Sequence, residues 1–303
     1  MATTMIRTSI LLAAVCLTAT ASSAQDSTAH ASSDRHTVHV TALDYAFRAP
    51  DEVPSGWTTL SFSNVGDEPH FAVLHRLPEG KTFGDYAGEV YPIGNAIWYD
   101  VRAGEIDRAQ AMQRFGNALP EWYRDVQTMS GTGLIAPGLS SDVTVYLAPG
   151  AYVMECYVKT VDGELHAMEG MLRALTVSAS PSGQAPPHAD VRVTLSNFEM
   201  AIDGELKPGT HTISAHAREG TGHSVHVARL AAGTDVQDVV DWMHWLEPDG
   251  LLPPSPATFV GGVHILPEGA TAYFTVDLEP GRYLFLSQYT AERGVLQEVH
   301  VAP

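Results

Sequence analysis

Apolar and polar residues alternate along this chain in short runs, and turn residues separate the runs. Val38-His39-Val40-Thr41-Ala42 is followed by Tyr45-Ala46-Phe47 and a Pro54-Ser55-Gly56 turn, then by Trp57-Thr58-Thr59-Leu60-Ser61-Phe62-Ser63 and Phe71-Ala72-Val73-Leu74. β-Branched and aromatic residues at a period of two, punctuated by Gly, Pro and Asp, predict an antiparallel sandwich. Residues 81–129 break the rhythm. Within them Glu105 to Phe115 has helical composition, with Ile106, Ala109 and Phe115 spaced for one buried stripe. Strands return in Val143-Thr144-Val145-Tyr146-Leu147, and Pro149-Gly150 turns the chain into Tyr152-Val153-Met154-Glu155-Cys156.

Much of this pattern recurs after a Pro- and Gly-rich stretch that predicts a linker. His70 to Leu77 lines up with His223 to Leu230, Gly131 to Gly138 with Gly261 to Gly269, and Leu147 to Tyr152 with Leu278 to Tyr283. Ordered matches at such separation indicate a tandem duplication. The helical excursion is shorter in the second copy. There Thr234-Asp235-Val236-Gln237 resembles a capping box, and Val236, Val239, Val240 and Met243 follow at helical spacing. The expected organisation is a lead-in over residues 25–36, a sandwich over 37–178, a linker over 179–189 and a second sandwich over 190–303, each sandwich with one helical insertion.

Length and composition suit two domains: 303 residues, 45% hydrophobic and 17% charged. Residues 1–24 carry Arg7, an apolar run from Ile10 to Leu17, and Ala21-Ser22-Ser23-Ala24. That order predicts a secretory leader, a signal peptide cut after Ala24 and too short to span a bilayer. The expected address is periplasmic or secreted, without membrane insertion after cleavage. A net charge of -18 disfavours nucleic acid and anionic membranes; it suits simple solubility or a redox protein partner with a basic surface.

Composition sharpens further at cysteine. Without the leader Cys156 stands alone, so no disulfide within the chain is available to it. An unpaired exported thiol is either a small buried hydrophobe or a metal thiolate. His166-Ala167-Met168-Glu169-Gly170-Met171 begins ten residues after it, and His70 lies upstream in Asp67-Glu68-Pro69-His70-Phe71. One thiolate, two imidazoles and a thioether are the donors of a mononuclear electron-transfer copper, because soft sulfur holds Cu(I) and imidazole suits either oxidation state. Strand alternation turns His75 away from His70. His223, His226, His244 and His264 read as structural, surface-exposed or incidental, and His30, His36 and His39 at most as adventitious metal binders.

Asn64-Val65-Gly66-Asp67-Glu68-Pro69-His70, Pro149-Gly150-Ala151-Tyr152 leading to Cys156, and His166-x4-Met171 resemble the motifs of the cupredoxins, the blue-copper family of plastocyanin and azurin. The resemblance implies an all-β fold of two tandem cupredoxin-like Greek-key β-sandwiches. It also implies one copper ion in the first domain, with His70, Cys156 and His166 as equatorial ligands and Met171 as the weak axial one. Met168 is the competing thioether. Two departures stand out. Nine residues separate Cys156 from His166 where the family has about two to four, and Asp162-Gly163 predicts a hairpin that brings their ends together. Phe71 also stands where the family places a polar residue to bond the thiolate.

The second copy has Ser287 for Cys156 and Val295 for Met171, with no histidine or methionine between them, so no site is expected there. The function expected is one-electron transfer. The alternatives are a metal-free binding module presenting Trp98, Trp122, Trp242 and Trp245, or copper storage and delivery through a more exposed Met168/Met171 pair. Glu155 and Tyr157 flank Cys156 where a multicopper centre needs histidines, a dinuclear centre needs two cysteines, and no Ser-His-Asp order or phosphate loop is present.

Overall fold

The computed structural model describes residues 37–303; the expected leader and lead-in, with Cys16, His30 and His36, lie outside the described residues. The first half contains β1 (Thr37–Leu43), β2 (Ala46–Arg48), β3 (Glu52–Asn64), β4 (Val73–Arg76), β5 (Gln127–Gly131), β6 (Ser140–Leu147), β7 (Gly150–Glu155) and β8 (Leu172–Pro181). The second contains β9 (Val191–Ser196), β10 (Glu199–Asp203), β11 (Gly209–Ala217), β12 (His223–Leu230), β13 (Thr258–Leu266), β14 (Thr271–Leu278), β15 (Gly281–Leu286) and β16 (Leu296–Val301). The architecture is all-β, as the alternating pattern predicts. Pairing is mixed, however: β1 and β8 run parallel to β3, and β9 runs parallel to β11.

β3 is long enough to serve two layers. Its first residues pair with β8, and Gly56 to Ser63 pair with β6 in the opposite layer. Gly56 sits at the switch with φ +94, a left-handed conformation that glycine adopts without strain. Leu60, Phe62, Tyr152, Met154 and Cys156 project between the layers into one buried apolar cluster, while Val153 on the other face of β7 packs against the helical insertion. β4, β5, β7 and β8 form the layer that carries the candidate site.

The halves meet along the two glycine-rich segments aligned above. The Gly133 amide donates to the Gly262 carbonyl at 2.8 Å, and Thr132 and Ile135 form isolated bridges with Val263 and Val260. A Cβ on Gly133 would lie 2.6 Å from the Gly262 Cα, so side chains are excluded at this crossing. A short β6–β14 contact, Thr144 with Tyr273 and Val143 with Phe274, joins strands of both halves into one sheet. β8 runs through Pro181, and Ser182 is held by its amide to Ser55 O and by its hydroxyl to Trp57 O.

The helical insertions differ from expectation in detail. The first contains α1 (Phe83–Asp85), α2 (Tyr91–Arg102) and α3 (Arg108–Ala118). Asp107 caps α3 in a capping box with Gln110, so the helix starts at Arg108 rather than Glu105. Ala109 is therefore turned to solvent; Ile106, Ala111 and the half-buried Phe115 face the core. α2 lacks the capping signal that marks α3, and it buries Ile97, Trp98 and Val101. In the second half Asp235, not Thr234, caps α4 (Val236–Trp242), with Val239 and Val240 inward.

Candidate metal centre

His70 and Cys156 reach the site from adjacent elements. Asn64 at the end of β3 ties down the loop that leads to His70: its amide donates to the carbonyls of Glu68 and Ile135, and its Oδ1 accepts from Gly66 N. Gly66 has no room for a side chain, because a Cβ would lie 2.2 Å from Asp44 Oδ1 and 2.8 Å from His70 Nε2. Cys156 follows β7 directly, and its amide donates to the Met171 carbonyl at 3.1 Å.

The nine residues after Cys156 fold as the Asp162-Gly163 signal predicts. Lys159 and Leu165 form a bridge, the Thr160 amide donates to Glu164 O, and the His166 amide donates to Val158 O at 2.8 Å. Both helical excursions brace this hairpin. Trp98 Nε1 donates to Gly163 O at 3.0 Å, Arg102 pairs with Glu164, and Lys159 Nζ donates to the carbonyls of Glu247 and Gly250 beneath the Trp98 ring. The insertions thus hold the loop that returns His166 to Cys156.

His70, Cys156 and His166 come together, fully buried, with their three donor atoms within 4.8 Å of one another. Cys156 Sγ lies 3.6 Å from His166 Nδ1 and 3.9 Å from His70 Nδ1, and the two Nδ1 atoms are 3.1 Å apart. Each imidazole turns its other nitrogen to a carboxylate: His70 Nε2 to Asp44 Oδ1 at 2.6 Å, and His166 Nε2 to Glu68 Oε2 at 2.7 Å. Tyr45 packs on the His166 ring with 4.8 Å between centroids. Carboxylates accept hydrogen from Nε2, which leaves both Nδ1 lone pairs facing each other. A single thiol proton can satisfy only one of them. A metal ion resolves the conflict, since bonds of about 2.0–2.3 Å to imidazole and thiolate span these separations. The residues fit a metal.

The electrostatics agree. Burial pushes the Cys156 thiol up to about 12, although the Phe71 and Val158 amides favour the thiolate. The bonding role expected of a polar side chain after His70 is thus taken by the Phe71 backbone. Burial and the neighbouring His166 lower His70 to about 4, against Asp44, so it is neutral and ready to ligate near neutral pH. Burial raises the Asp44 carboxyl, but bonds from the Asp67 amide and His70 outweigh that and hold it low.

Met171 is fully buried in the same apolar cluster as Cys156, and its amide donates to His166 O at 2.9 Å. Met168 packs instead against the insertion helices. His75 stays outside the cluster and bonds Thr128 and Glu155, as strand alternation predicts. Asp44 and Glu68 are the residues that motif reading missed. Glu68 lies inside the motif leading to His70 and was open to notice; Asp44 follows β1 and meets the site only through the fold.

The β-sandwich, with a histidine before β4, a cysteine after β7 and a His-x4-Met loop into β8, is cupredoxin-like. Among solved structures, the chain is similar to dithionite-reduced auracyanin from the photosynthetic bacterium Roseiflexus castenholzii, with 25% identity over 47% of this chain and 97% of that one, TM-score 0.29. It is also similar to auracyanin A, a blue copper protein from Chloroflexus aurantiacus, with 19% identity over 47% and 98%, TM-score 0.28. A multicopper oxidase aligns over 88% of both chains with 15% identity and TM-score 0.24. No family model and no curated protein sequence matches. Similarities this weak leave the functional reading to the site itself.

Proposed function

We propose that this protein binds one copper ion in its first half and carries single electrons. The observation that carries the reading is the donor set: two carboxylate-oriented imidazoles whose lone pairs converge, beside a buried thiol, on a point no protein donor fills. In this reading His70, Cys156 and His166 would hold the copper, and Met171, buried in the same apolar cluster as Cys156, would offer a thioether. That set selects copper over zinc, which favours four strong ligands in a closed site. Bound copper would supply a Cu(II)/Cu(I) couple. The chain's own contribution is rigidity: strands and a braced hairpin keep the donors in place in both states, and the apolar cluster excludes water. Burial of Met171 speaks against delivery through an exposed methionine pair.

The wider reading includes export, with cleavage after Ala24, and a basic electron-transfer partner for a chain of net charge -18. It also includes descent of the two halves from one duplicated unit, divided near residues 179–189. The test is to load the protein with copper and record its visible spectrum alongside Cys156→Ser. Intense thiolate-to-copper absorption at one ion per chain, absent from the variant, is expected. A colourless protein without stoichiometric copper would leave a metal-free binding module, and tight Cu(I) uptake with no stable Cu(II) form would indicate delivery.

A further inference from the structure

Nine residues separate Cys156 from His166, and the hairpin they form reaches into the second half. Lys159, three residues after Cys156, is fully buried there. Its Nζ donates to the carbonyls of Glu247 and Gly250 and, at 3.5 Å, to that of Pro248, all in the segment after α4. Its amide donates to Leu251 O at 3.1 Å. Leu246 of the same segment packs in one buried cluster with Leu165, the neighbour of His166.

A buried ammonium is costly unless it is fully bonded. Among the described residues no carboxylate pairs with Lys159; the three carbonyls and the Trp98 ring, 4.3 Å from Nζ, are its partners. Burial pushes the ammonium down to about 7, against Asp249 and Glu247. The receiving turn has little freedom. A Cβ on Gly250 would lie 1.7 Å from His244 O, and the Leu251 amide closes the turn on Trp242 O.

The three donors are not equally secured. His70 has its own bridge to Ile135 and Cys156 follows β7 directly, whereas His166 depends on the hairpin for its place. A hairpin free to open would present His166 in only a fraction of molecules, and apparent metal affinity falls by that fraction. We infer that the second half is a working part of the first half's metal centre, with Lys159 as the positioning residue. Its ammonium, seated in the Glu247–Gly250 turn, holds the hairpin closed so that His166 faces Cys156 before a metal arrives. This role rests on the copper reading. Such coupling is reciprocal: a metal joining Cys156 to His166 in turn tightens the turn around Lys159, so the second half registers whether the first is loaded.

The test compares the wild-type chain with Lys159→Met, and with Leu246→Ala as a second way to free the hairpin, at about pH 6, where the ammonium is charged. In metal-free protein, hydrogen exchange at the Thr160 and His166 amides should accelerate about 10-fold in Lys159→Met, the scale of one lost bond to a charged group. The Ser287 and Val295 amides of the second half should keep their wild-type rates. Copper affinity, by chelator competition, should fall by the same factor, and the thiolate-to-copper band of the bound fraction should shift. A lysine that merely stabilised the fold would lower the denaturant midpoint and leave band and affinity unchanged. In the wild type, copper should slow exchange at the Leu251 amide, and in Lys159→Met that protection should shrink. Circular dichroism must show both variants folded. Unaltered exchange at Thr160 and His166 in both folded variants, unaltered copper affinity in both, or a Leu251 amide indifferent to bound copper would overturn the inference. A wild-type chain that takes up no copper defeats the copper reading instead, and the metal-free exchange rates still decide whether Lys159 closes the hairpin.

Discussion

The first and second halves repeat several backbone contacts around two different interiors. Cys156 N donates to Met171 O at 3.1 Å, and Ser287 N donates to Val295 O at the same distance. Met171 N bonds His166 O; Val295 N bonds Thr290 O. Gly66 crowds Asp44 and His70, and Gly220 crowds Asn197 and His223 in the same way. Tyr152 and Tyr283 each send a hydroxyl bond to the carbonyl four residues back. Where the first half gathers a thiol and two imidazoles, the second closes with hydroxyls, Ser287 Oγ lying 2.9 Å from Thr290 Oγ1. His223 turns Nε2 to Glu219 O and leaves Nδ1 without a partner, while no carboxylate stands where Asp44 does. The backbone therefore tolerates either filling, and the thiol and imidazoles of the first half are not needed to build a sandwich.

That contrast can be broken most completely by converting one interior into the other. Cys156→Ser combined with His166→Thr should reduce copper stoichiometry from one to zero by equilibrium dialysis. Far-ultraviolet circular dichroism should be unchanged, since the second half already folds around these residues. The reverse graft, Ser287→Cys with Thr290→His and Val295→Met, should raise stoichiometry toward two, with His223 Nδ1 as the waiting donor. A folded graft that binds only one ion would show that the carboxylates behind the imidazoles are indispensable.

Those carboxylates give the intermediate effect. Glu68→Gln should weaken copper binding about 10–100-fold, the usual range for partners that orient a ligating imidazole. Asp44→Asn should fall at the lower end of that range, because Asn197 occupies the matching place beside His223 without disturbing the fold. Competition titration with a chelator of known affinity separates the two.

The smallest effect concerns pH. Burial lowers His226, beside the glycine-rich crossing, to about 3. Its unfolded value is about 6.5. Between those values the unfolded chain binds a proton that the native one refuses, so stability falls as pH drops from about 6.5 toward 3. The metal-free His70 contributes in the same direction down to about 4. Val73 holds the place of His226 in the first half's strand pairing. His226→Val should therefore flatten the acid limb of denaturant midpoints against pH. At neutral pH it should cost about 1–3 kcal/mol, because the Leu134 amide loses its acceptor, His226 Nδ1 at 3.1 Å.

Alternation and turn residues were enough to read the sandwiches, the Asp162-Gly163 hairpin and the donors His70, Cys156 and His166, because strand period and turn chemistry are local properties. Helix ends needed the capping partners themselves: Asp107 and Gln110 set the start of α3, and α2 lacks such a signal altogether. Asp44 and the bracing of the hairpin by Trp98 and Lys159 were decided by tertiary structure. Each joins residues far apart in the chain, and no periodicity records which distant carboxylate will face which imidazole. The sequence determined which donors the chain carries. The packing of two sandwiches and their helices determined that two lone pairs would face each other beside a buried thiol.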